Sequence, residues 1–297
     1  MLQTPALEET TVVTVNYNSI DVIANCLEPL LEAKEIIVVD NDSTDQSLAM
    51  IAERFPSVRI IATGENAGNG AGLNVGIFAV KTPYVLIIDP DAVLTPDNLQ
   101  LLYQGLQDFP DAAFTAPLVF IPRHGQDLWV MGPGETMHSR TYEVPEGPFC
   151  SWFLSACVIL CHTKTIQDLG GFDDNIFLYL EDLDLCMRFT KAGHSMICIP
   201  EATADHFNSY SASRSWKLHW RKDWNFAWSQ LYLAEKYRGR SVMWQEARKL
   251  FFMHGPKALF YALVFDRKRF IRDFSAVHAV YTHSIVTYIL YSYISKQ

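Results

Sequence analysis

Tyr84-Val-Leu-Ile-Ile-Asp-Pro-Asp91 joins a short apolar run to two closely spaced carboxylates. The run from Tyr84 to Ile88 is too short to cross a membrane and is typical of a central strand that is covered on both faces. Pro90 cannot donate a hydrogen bond to a neighbouring strand, so the strand is predicted to end there. Asp89 and Asp91 should therefore lie at the carboxyl end of a central strand, where open α/β sheets bind their ligands.

The octapeptide by itself leaves two interpretations of Asp89 and Asp91 open. Carboxylates one residue apart repel each other unless a cation lies between them, and Mg²⁺ typically takes one or two carboxylates together with substrate phosphates. The alternative is a type I turn, in which proline favours the second position and acidic residues are common.

Strand and helix patterns alternate on both sides of this stretch. The alternation, with its short connections, predicts an α/β fold with a mostly parallel sheet and right-handed crossovers. Ser43 or Thr44 is predicted to cap the second helix, and Thr95 to cap a helix that begins at Pro96. The predicted strands are residues 11–15, 35–39, 58–62, 84–88, 112–120, 151–161 and 193–200, and helices are predicted up to about residue 31, at 73–80 and from 181.

Polar clusters follow three of the predicted strands, at Asn16–Asn18, Asp40–Asp42 and Asp89–Asp91. Because parallel strands end at the same edge, these clusters should lie along one carboxyl edge, which binds nucleotides in such sheets. The segment Gly64–Gly72 completes neither the dinucleotide fingerprint nor a P-loop. Its glycines either allow the backbone to approach a ligand closely or form a flexible loop.

Phe177–Arg188 is the second stretch with candidate chemistry, and a helix is predicted to begin near Glu181. Glu181 and Asp182 fall in its first turn, where the helix dipole stabilises acidic residues. Alternatively, one of the two carboxylates acts as a general base on a substrate hydroxyl. Asp184 and Arg188 are spaced as an i, i+4 ion pair.

His206 follows the last predicted strand and is either structural or a ligand for a metal or a diphosphate. The irregular residues 121–149, rich in proline, glycine and histidine, are typical of an excursion that binds a second substrate.

Charge is distributed unevenly along the chain, whose formal net charge is −9. Residues 1–213 hold 9 basic and 28 acidic residues, whereas residues 214–297 hold 15 and 5. The overall acidity argues against nucleic acid as a partner. The basic, aromatic tail predicts either a surface for an anionic partner such as a membrane or a phosphorylated acceptor, or helices that pack on the acidic domain.

Further patterns predict the helices of the basic tail and the cellular compartment of the protein. Tryptophans recur every four residues from Trp216 to Trp228, a spacing typical of packing along one helix, and the uncharged residues 274–295 predict a core or an interfacial helix. The amino terminus shows no signal-peptide pattern. The six cysteines form no C-x-x-C pair, so buried reduced thiols and a cytoplasmic protein are expected.

Taken together, the motifs resemble those of the family 2 inverting glycosyltransferases with the GT-A fold, especially their rhamnosyltransferase-like branch. The matching stretches run in the family's order over about residues 11–210: Thr14–Asn18, Ile37–Ser43, Glu65–Gly68 with Asn74 and Gly76, Ile88–Asp91, Gly170–Asp173 and Tyr179–Arg188. The resemblance implies a Rossmann-like GT-A domain over residues 1–212. A helical extension over residues 213–297 would then face an acceptor or a membrane.

Roles for individual residues are also implied by this resemblance. Asp182 is similar to the family's catalytic base, and Asp89-Pro-Asp91 is similar to its D-x-D element, which binds Mg²⁺ or Mn²⁺ with His206. The residues implied in nucleotide-sugar binding are Asn16, Tyr17, Asn18, Asp40, Asp42, Asn66, Gly68, Asn74, Asp89 and Glu181.

The activity implied is transfer of a sugar from a nucleoside-diphosphate sugar, such as dTDP-rhamnose or a UDP-hexose, to a glycan or lipid-linked acceptor. The enzyme would be cytoplasmic and peripheral to the inner face of the plasma membrane. A sugar nucleotidyltransferase and a non-catalytic nucleotide- or glycan-binding module remain as alternatives.

Overall fold

The computed structural model describes residues 4–121, 125–126, 144–207 and 216–294, without the side chains of Gln126, Leu218 and residues 285–294. The predicted boundary at residues 212 and 213 and most of the predicted excursion at 121–149 lie outside these residues. The chain divides into two compact units, Met1–Asn175 with Glu181–Ala212, and Ile176–Leu180 with Ser213–Gln297.

Strands of the first unit form a single ten-stranded sheet within the described residues. Five are short apolar or β-branched runs that are buried along most of their length, as expected for strands between helical layers. The strands are β1 Thr10–Asn16, β2 Glu35–Asp40, β3 Arg59–Ala62, β4 Tyr84–Ile88, β5 Ala92–Leu94, β6 Ala112–Ile121, β7 Gly125–Gln126, β8 Phe149–Ser151, β9 Val158–His162 and β10 Ser195–His206.

Neighbouring strands follow the order β3-β2-β1-β4-β9-β6-β10-β5, while β7 pairs with β6 and β8 with β10. The pairs β3–β2, β2–β1, β1–β4 and β6–β10 are parallel, whereas β9 is antiparallel to both β4 and β6. The predicted mostly parallel α/β sheet is therefore confirmed. Asn16 lies opposite Asp40 in the β1–β2 register, so the first two polar clusters meet at one edge.

Helices connect the strands of the first unit. They are α1 Pro5–Glu9, α2 Ile23–Leu27 with a short 3-10 turn at Glu28–Leu30, α3 Ser47–Arg54, α4 Asn69–Ile77, α5 Pro96–Asp108, α6 Thr163–Asp168 and α7 Glu181–Lys191. Thr95 caps α5 through a hydrogen bond from the Asn98 amide, and Pro96 occupies its first turn, as predicted.

Some boundaries differ from the sequence predictions. The predicted strand at residues 151–161 is two strands, β8 and β9, joined by a loop. Helix α4 begins at Asn69, so glycines predicted to precede the helix form its first turns. Neither Ser43 nor Thr44 caps α3; the Asp45 carboxylate instead accepts from the Ser47 amide. Several polar residues lie near the start of α3, and the folded loop decides which of their side chains bonds to an amide of the helix.

Besides Ile176–Leu180, the described part of the second unit contains three long helices, α8 Trp216–Arg238, α9 Arg240–Leu263 and α10 Arg267–Ile294. Trp224 and Trp228 pack against its buried apolar cluster and stack 6.5 Å apart, which confirms a packing role for that part of the tryptophan stripe. Ala276, Ala279 and Val280 belong to the same cluster, so one side of residues 274–284 is core, whereas Phe274 and Tyr281 on that helix are exposed. Within the described residues, no helix combines the length and the apolar run needed to cross a bilayer.

Five cysteines are buried, and all six are free thiols. Burial raises the pKa of the Cys26, Cys157 and Cys161 thiols well above its usual range, so these groups are neutral packing side chains. Cys150 is exposed, unlike the buried thiol that the sequence pattern predicted.

Close contact between α4 and the sheet yields a stability prediction. A Cβ at Gly76 would overlap Val13 Cγ1 and lie 3.1 Å from Val39 Cγ2. Gly76→Ala should therefore lower the free energy of unfolding by about 1–3 kcal/mol, because overpacking moves the helix off the sheet. Urea unfolding monitored by circular dichroism measures this change. Val75→Ala, at a partly exposed neighbouring position, is the control, and an equal loss in both variants would contradict the packing argument.

Candidate active site

Asn16 and Asp40 meet in a hydrogen-bonded cluster where β1 and β2 end. The Asn16 Nδ2 atom lies 2.8 Å from Asp40 Oδ1, 2.9 Å from Ser43 Oγ and 2.8 Å from Ser47 Oγ. The Ser43 amide donates to Asp40 Oδ2 at 3.1 Å. Asn16 Oδ1 is buried without a hydrogen-bond partner, and such an atom favours a ligand that donates to it.

Asn18 and Asp42 shape the two loops that follow β1 and β2. Both adopt left-handed backbone conformations, with φ of 54° and 66°, which Asn and Asp tolerate better than most residues. Asn18 Oδ1 accepts from the amides of Thr44 at 2.7 Å and Asp45 at 3.1 Å. Asn18 therefore fixes the second loop against the first, with Tyr17 on the same segment.

The glycine-rich segment packs against this edge through α4. Asn41 Nδ2 donates to the Gly68 carbonyl at 2.7 Å, and the Gly68 amide donates to Asn66 Oδ1 at 3.1 Å. Gly68 has φ of 105°, a conformation that side chains rarely allow. A Cβ at Gly72 would lie 3.0 Å from the Asn41 side chain. These glycines bring the start of α4 to the polar edge.

Asn74 holds the loop that precedes α7. Its Nδ2 donates to the Phe172 carbonyl at 2.9 Å and to Asp174 Oδ1 at 2.7 Å, and its Oδ1 accepts from the Phe172 amide at 2.7 Å. Gly171 has φ of 68° and no room for a Cβ beside Asn74. Both amide hydrogens of the Asn74 side chain bond to acceptors within the chain, so its contacts are those of a residue that positions the loop.

Asp89, Asp91 and His206 form a cluster that could hold a metal ion. One ligand atom from each lies within 4.8 Å of the others. His206 Nε2 is 3.1 Å from Asp91 Oδ1 and 3.7 Å from Asp89 Oδ2. No other group of this kind is found among the described residues. The cluster joins residues 115 positions apart in the chain.

Backbone pairing explains why His206 reaches the two acids. Residues 89–92 form a turn in which the Ala92 amide donates to the Asp89 carbonyl at 3.0 Å. Ala92 then pairs with His206 across β5 and β10, and the Phe207 amide donates to the Asp91 carbonyl at 2.9 Å. The turn and the candidate metal cluster, which the octapeptide left as alternatives, therefore occur together.

The negative charges of Asp89 and Asp91 destabilise this cluster unless a cation lies between them. Burial raises the pKa of Asp89 to about 7, and His206 opposes this rise whereas the charges of Asp91 and Asp182 add to it. The Asp89 side chain keeps 29% of its surface accessible, so solvent moderates the effect. The charge of Asp182 acts on Asp89, and the two acids are bonded to adjacent residues of one loop, Asp182 to the Ala156 amide and the Asp89 amide to the Cys157 carbonyl.

Glu181 begins α7 and is buried with half of its carboxylate unpaired. Asn69 Nδ2 donates to Glu181 Oε1 at 3.1 Å, while Oε2 has no hydrogen-bond partner. Burial, followed by the charge of Asp182, raises the pKa of Glu181. Helix α4 therefore contributes to the site through Asn69 as well as through its glycines.

Asp182 is the more accessible acid of this pair. Burial raises its pKa, and hydrogen bonds from the Leu183 and Ala156 amides and from the Ser155 hydroxyl oppose the rise. The Leu183 amide lies 2.8 Å from Asp182 Oδ1. A carboxylate with a raised pKa in such a setting is suited to accept a proton near neutral pH.

Several residues that orient the site were not predicted from the sequence. Ser155 and Ala156 contact Asp182 from the loop between β8 and β9, and the Cys157 carbonyl accepts from the Asp89 amide at 2.8 Å. The mostly apolar pattern of residues 151–161 predicted one strand, and Ser155 was its only interior polar residue. Ser43 and Ser47, by contrast, lie in the polar stretch that the sequence had already marked.

The predicted ion pair behind the site is present. Arg188 Nε donates to Asp184 Oδ2 at 2.7 Å, and the Asp184 side chain is fully buried. Arg188 also donates to the Leu169 carbonyl at 3.2 Å. The pair therefore ties α7 to the chain that follows α6 and supports the position of Glu181 and Asp182 one turn earlier.

The cluster fits a hard divalent cation. Two carboxylates and one imidazole meet at the carboxyl edge of a sheet, where substrate phosphates and water would complete the coordination. Asp89 and Asp91 repel each other unless a positive charge lies between them. Oxygen-rich ligand sets suit Mg²⁺ and Mn²⁺.

Comparisons with known proteins agree on one family. The model of "Glycosyl transferase family 2" matches residues 11–156, and that of "Glycosyl transferase family group 2" matches residues 84–294. The N-acetylglucosaminyl-diphospho-decaprenol L-rhamnosyltransferase of Mycobacterium tuberculosis is 25% identical over 255 residues, which span 75% of this chain and 81% of that protein. The rhamnosyltransferase WbbL of Escherichia coli is 24% identical over 76% of this chain and 92% of its own length.

Solved structures show the same fold. A mannosyltransferase from Pyrobaculum calidifontis, in complex with GDP-Man and Mn²⁺, superposes with a TM-score of 0.57 over 93% of this chain and 86% of that chain, at 15% identity. TarS 1-349 of S. aureus gives a TM-score of 0.53 over 93% and 92%, at 16% identity. With the family models and the mixed α/β sheet in agreement, the chain belongs to the family 2 glycosyltransferases of GT-A fold, and it is similar to rhamnosyltransferases.

Proposed function

We propose that this glycosyltransferase is metal-dependent and inverts the anomeric carbon as it moves a sugar from a nucleoside-diphosphate sugar to an acceptor hydroxyl. The observation that carries the proposal is the cluster of Asp89, Asp91 and His206 with Asp182 beside it. One edge of the sheet thus offers ligands for a cation and a carboxylate suited to accept a proton.

The nucleotide end of the donor is proposed to bind where β1 and β2 end. The unpartnered Asn16 Oδ1 can accept from a base or ribose, and Asp40 lies beside it. Tyr17, Asn18 and Asp42 form the adjoining loops, and Asn66 and Gly68 approach from the start of α4. Glu181 Oε2, buried without a partner, can accept from a sugar hydroxyl, and Asn74 positions the loop before α7.

Asp89, Asp91 and His206 would hold Mg²⁺ or Mn²⁺, with Asp89 nearer the ribose. A bound cation supplies Lewis acidity, neutralising the negative charge that grows on the departing diphosphate. The fixed turn at residues 89–92 and the β5–β10 pairing keep the three ligand side chains oriented.

Asp182 is proposed to act as the general base. The Asp182 carboxylate accepts the proton of the acceptor hydroxyl as the hydroxyl oxygen bonds to the anomeric carbon. The bond between this carbon and the diphosphate oxygen breaks in the same displacement, so the configuration inverts. Ser155 and Ala156 hold the carboxylate by hydrogen bonds, and no nucleophile from the enzyme enters the reaction.

The names of two relatives support a proposal for the donor and acceptor classes. Both are named as rhamnosyltransferases and one acts on a diphospho-decaprenol-linked sugar, which supports a dTDP-rhamnose or UDP-hexose donor and a lipid-linked or glycan acceptor. The proposed role is therefore cell-surface polysaccharide synthesis at the cytoplasmic face of the membrane, with peripheral contact through the second unit.

Replacing the proposed base tests the catalytic assignment. Asp182→Asn keeps the shape but cannot take a proton, so kcat should fall on the order of 10²–10⁴-fold. The Kd for the nucleoside diphosphate with Mn²⁺, measured by calorimetry, should stay within about threefold, which is under 1 kcal/mol. Asp168→Asn, at an exposed position, is the control. Parallel loss of binding and turnover would assign Asp182 to folding or to nucleotide binding instead.

Removing a proposed metal ligand should act on binding. Asp91→Ala should weaken Mn²⁺-dependent binding of the nucleoside diphosphate at least tenfold, because the diphosphate loses its bridge to the protein. Thermal shift with UDP, dTDP and GDP, each with Mn²⁺ or with EDTA, measures this loss and shows which nucleotide is preferred. Asp108→Ala is the matched surface control. Unchanged Mn²⁺ titration in Asp91→Ala would refute the metal role.

The raised pKa of Asp182 predicts a pH profile. The base must be deprotonated, so kcat/KM should rise with pH through the pKa of Asp182. Because burial raises that pKa, the acid limb should lie above the ~3.9 of an ordinary aspartate. Initial rates between pH 4 and 9, at saturating Mn²⁺, locate the limb. A limb at or below pH 4, or the same limb in Asp182→Asn, would assign it to another group.

A further inference from the structure

Helix α9 carries a broad apolar face that is exposed in its second half. Phe252, Leu259 and Leu263 recur at i, i+7 and i+11 and have 71%, 66% and 71% of their surface exposed. Neighbouring apolar residues widen this stripe. The α9 face consists of Phe252, Met253, Pro256, Leu259, Phe260, Leu263 and Val264.

The opposite side of α9 is the one that packs. Leu250 and Ala258 are buried, and His254 Nδ1 lies 2.6 Å from Asp273 Oδ1 on α10. Asp273 is fully buried and also accepts from Arg272 at 2.7 Å. Helix α9 is thus fixed to α10 by one side, and the α9 face is not part of the apolar cluster of the three helices.

The turn between α9 and α10 extends the α9 face to its tip. Phe265 has 91% of its surface exposed and a left-handed backbone with φ of 56°, which is costly for a bulky L residue. The Asp266 amide donates to the Tyr261 carbonyl, and Asp266 Oδ1 caps α10 at the Arg269 amide, 3.1 Å away. These bonds hold the turn in a form that directs an aromatic ring into solvent.

Basic residues border this apolar surface. Lys257 lies along the α9 face, and Arg267, Lys268 and Arg269 begin α10, all of them exposed. Lys268 and Arg269 also line a polar cleft of about 520 Å³ together with His219, Asp223, Asp266 and Arg272. Three basic side chains of this cleft, Lys268, Arg269 and Arg272, lie beside two carboxylates, Asp223 and Asp266.

We propose that the α9 face and the Phe265 turn dock on the surface of an anionic phospholipid bilayer. A helix with one apolar side, bordered by lysine and arginine, lies in the interface plane, with apolar groups among the acyl chains and basic groups among the headgroups. The excess of 15 basic over 5 acidic residues after position 213 favours an anionic bilayer over a symmetric contact with a second copy, in which two basic surfaces would repel each other. The inference rests on the proposed function only for the reason why the protein would dock on a membrane, which is access to a lipid-linked acceptor.

Vesicle binding tests the proposal without any measurement of activity. The full chain is sedimented with vesicles of phosphatidylcholine containing phosphatidylglycerol, and with vesicles of phosphatidylcholine alone. It should bind the anionic vesicles at least about tenfold more tightly, and raising NaCl from 0.1 to 0.5 M should weaken that binding. No sedimentation with anionic vesicles would overturn the proposal.

Variants then locate the surface. The double variant Leu263→Ser with Phe265→Ser should lower the partition coefficient at least about tenfold, because two side chains no longer enter the acyl region. Lys257→Glu with Lys268→Glu should remove the preference for anionic vesicles. Matched controls in the first unit are Leu101→Ser with Phe109→Ser, and Lys81→Glu with Lys191→Glu, all at exposed positions.

Each outcome bears on the proposal. Circular dichroism melts show whether the variants are folded, which is expected because the altered side chains are exposed. Binding that survives both double variants would overturn the assignment of this surface. Dimerisation that is lost in Leu263→Ser with Phe265→Ser, without vesicle binding by the unaltered chain, would make it a self-interface instead. If Asp182→Asn lost no activity while these results held, only the proposed catalytic role would fail.

Discussion

Repulsion among carboxylates gathered at one sheet edge is the constraint on which the candidate site depends. Asp89 and Asp91 share a turn, Asp182 is close enough to raise the pKa of Asp89, and Glu181 is buried beside Asp182. Such a group is stable only where protons, hydrogen bonds or a cation offset the charge. The clustered negative charge that lowers stability also attracts a cation. It raises the proton affinity of the carboxylates as well, which suits one of them to accept a proton.

The rest of the first unit holds these charges in place. The β5–β10 pairing sets His206 beside the turn, the Asp184–Arg188 pair anchors α7, and the loop between β8 and β9 reaches Asp182. Glycines on α4 allow the helix to approach the sheet closely enough for Asn69 to contact Glu181. The site therefore consists of side chains on rigid elements, and the neighbouring contacts reduce the number of orientations open to each acid.

The second unit differs from the first in that it leaves many large apolar side chains of one helix exposed. Its helices bury a compact cluster built largely from alanine and leucine, yet α9 leaves large apolar side chains exposed. A basic, apolar surface is suited to a partner that has both hydrocarbon chains and phosphates, and the Mycobacterium tuberculosis relative is named for a diphospho-decaprenol-linked sugar.

The sequence by itself determined the strand–helix alternation, the parallel part of the sheet and the polar edge, because periodicity and parallel topology follow from local pattern. It also marked Asp89, Asp91, Asp182 and His206. Tertiary structure alone decided that residues 151–161 break into two strands, that His206 meets Asp91, and that the second half of α9 leaves its apolar side chains exposed. Apolar patterns do not distinguish a buried helix face from an exposed one, and contacts between residues over a hundred positions apart depend on strand pairing, which no local pattern contains.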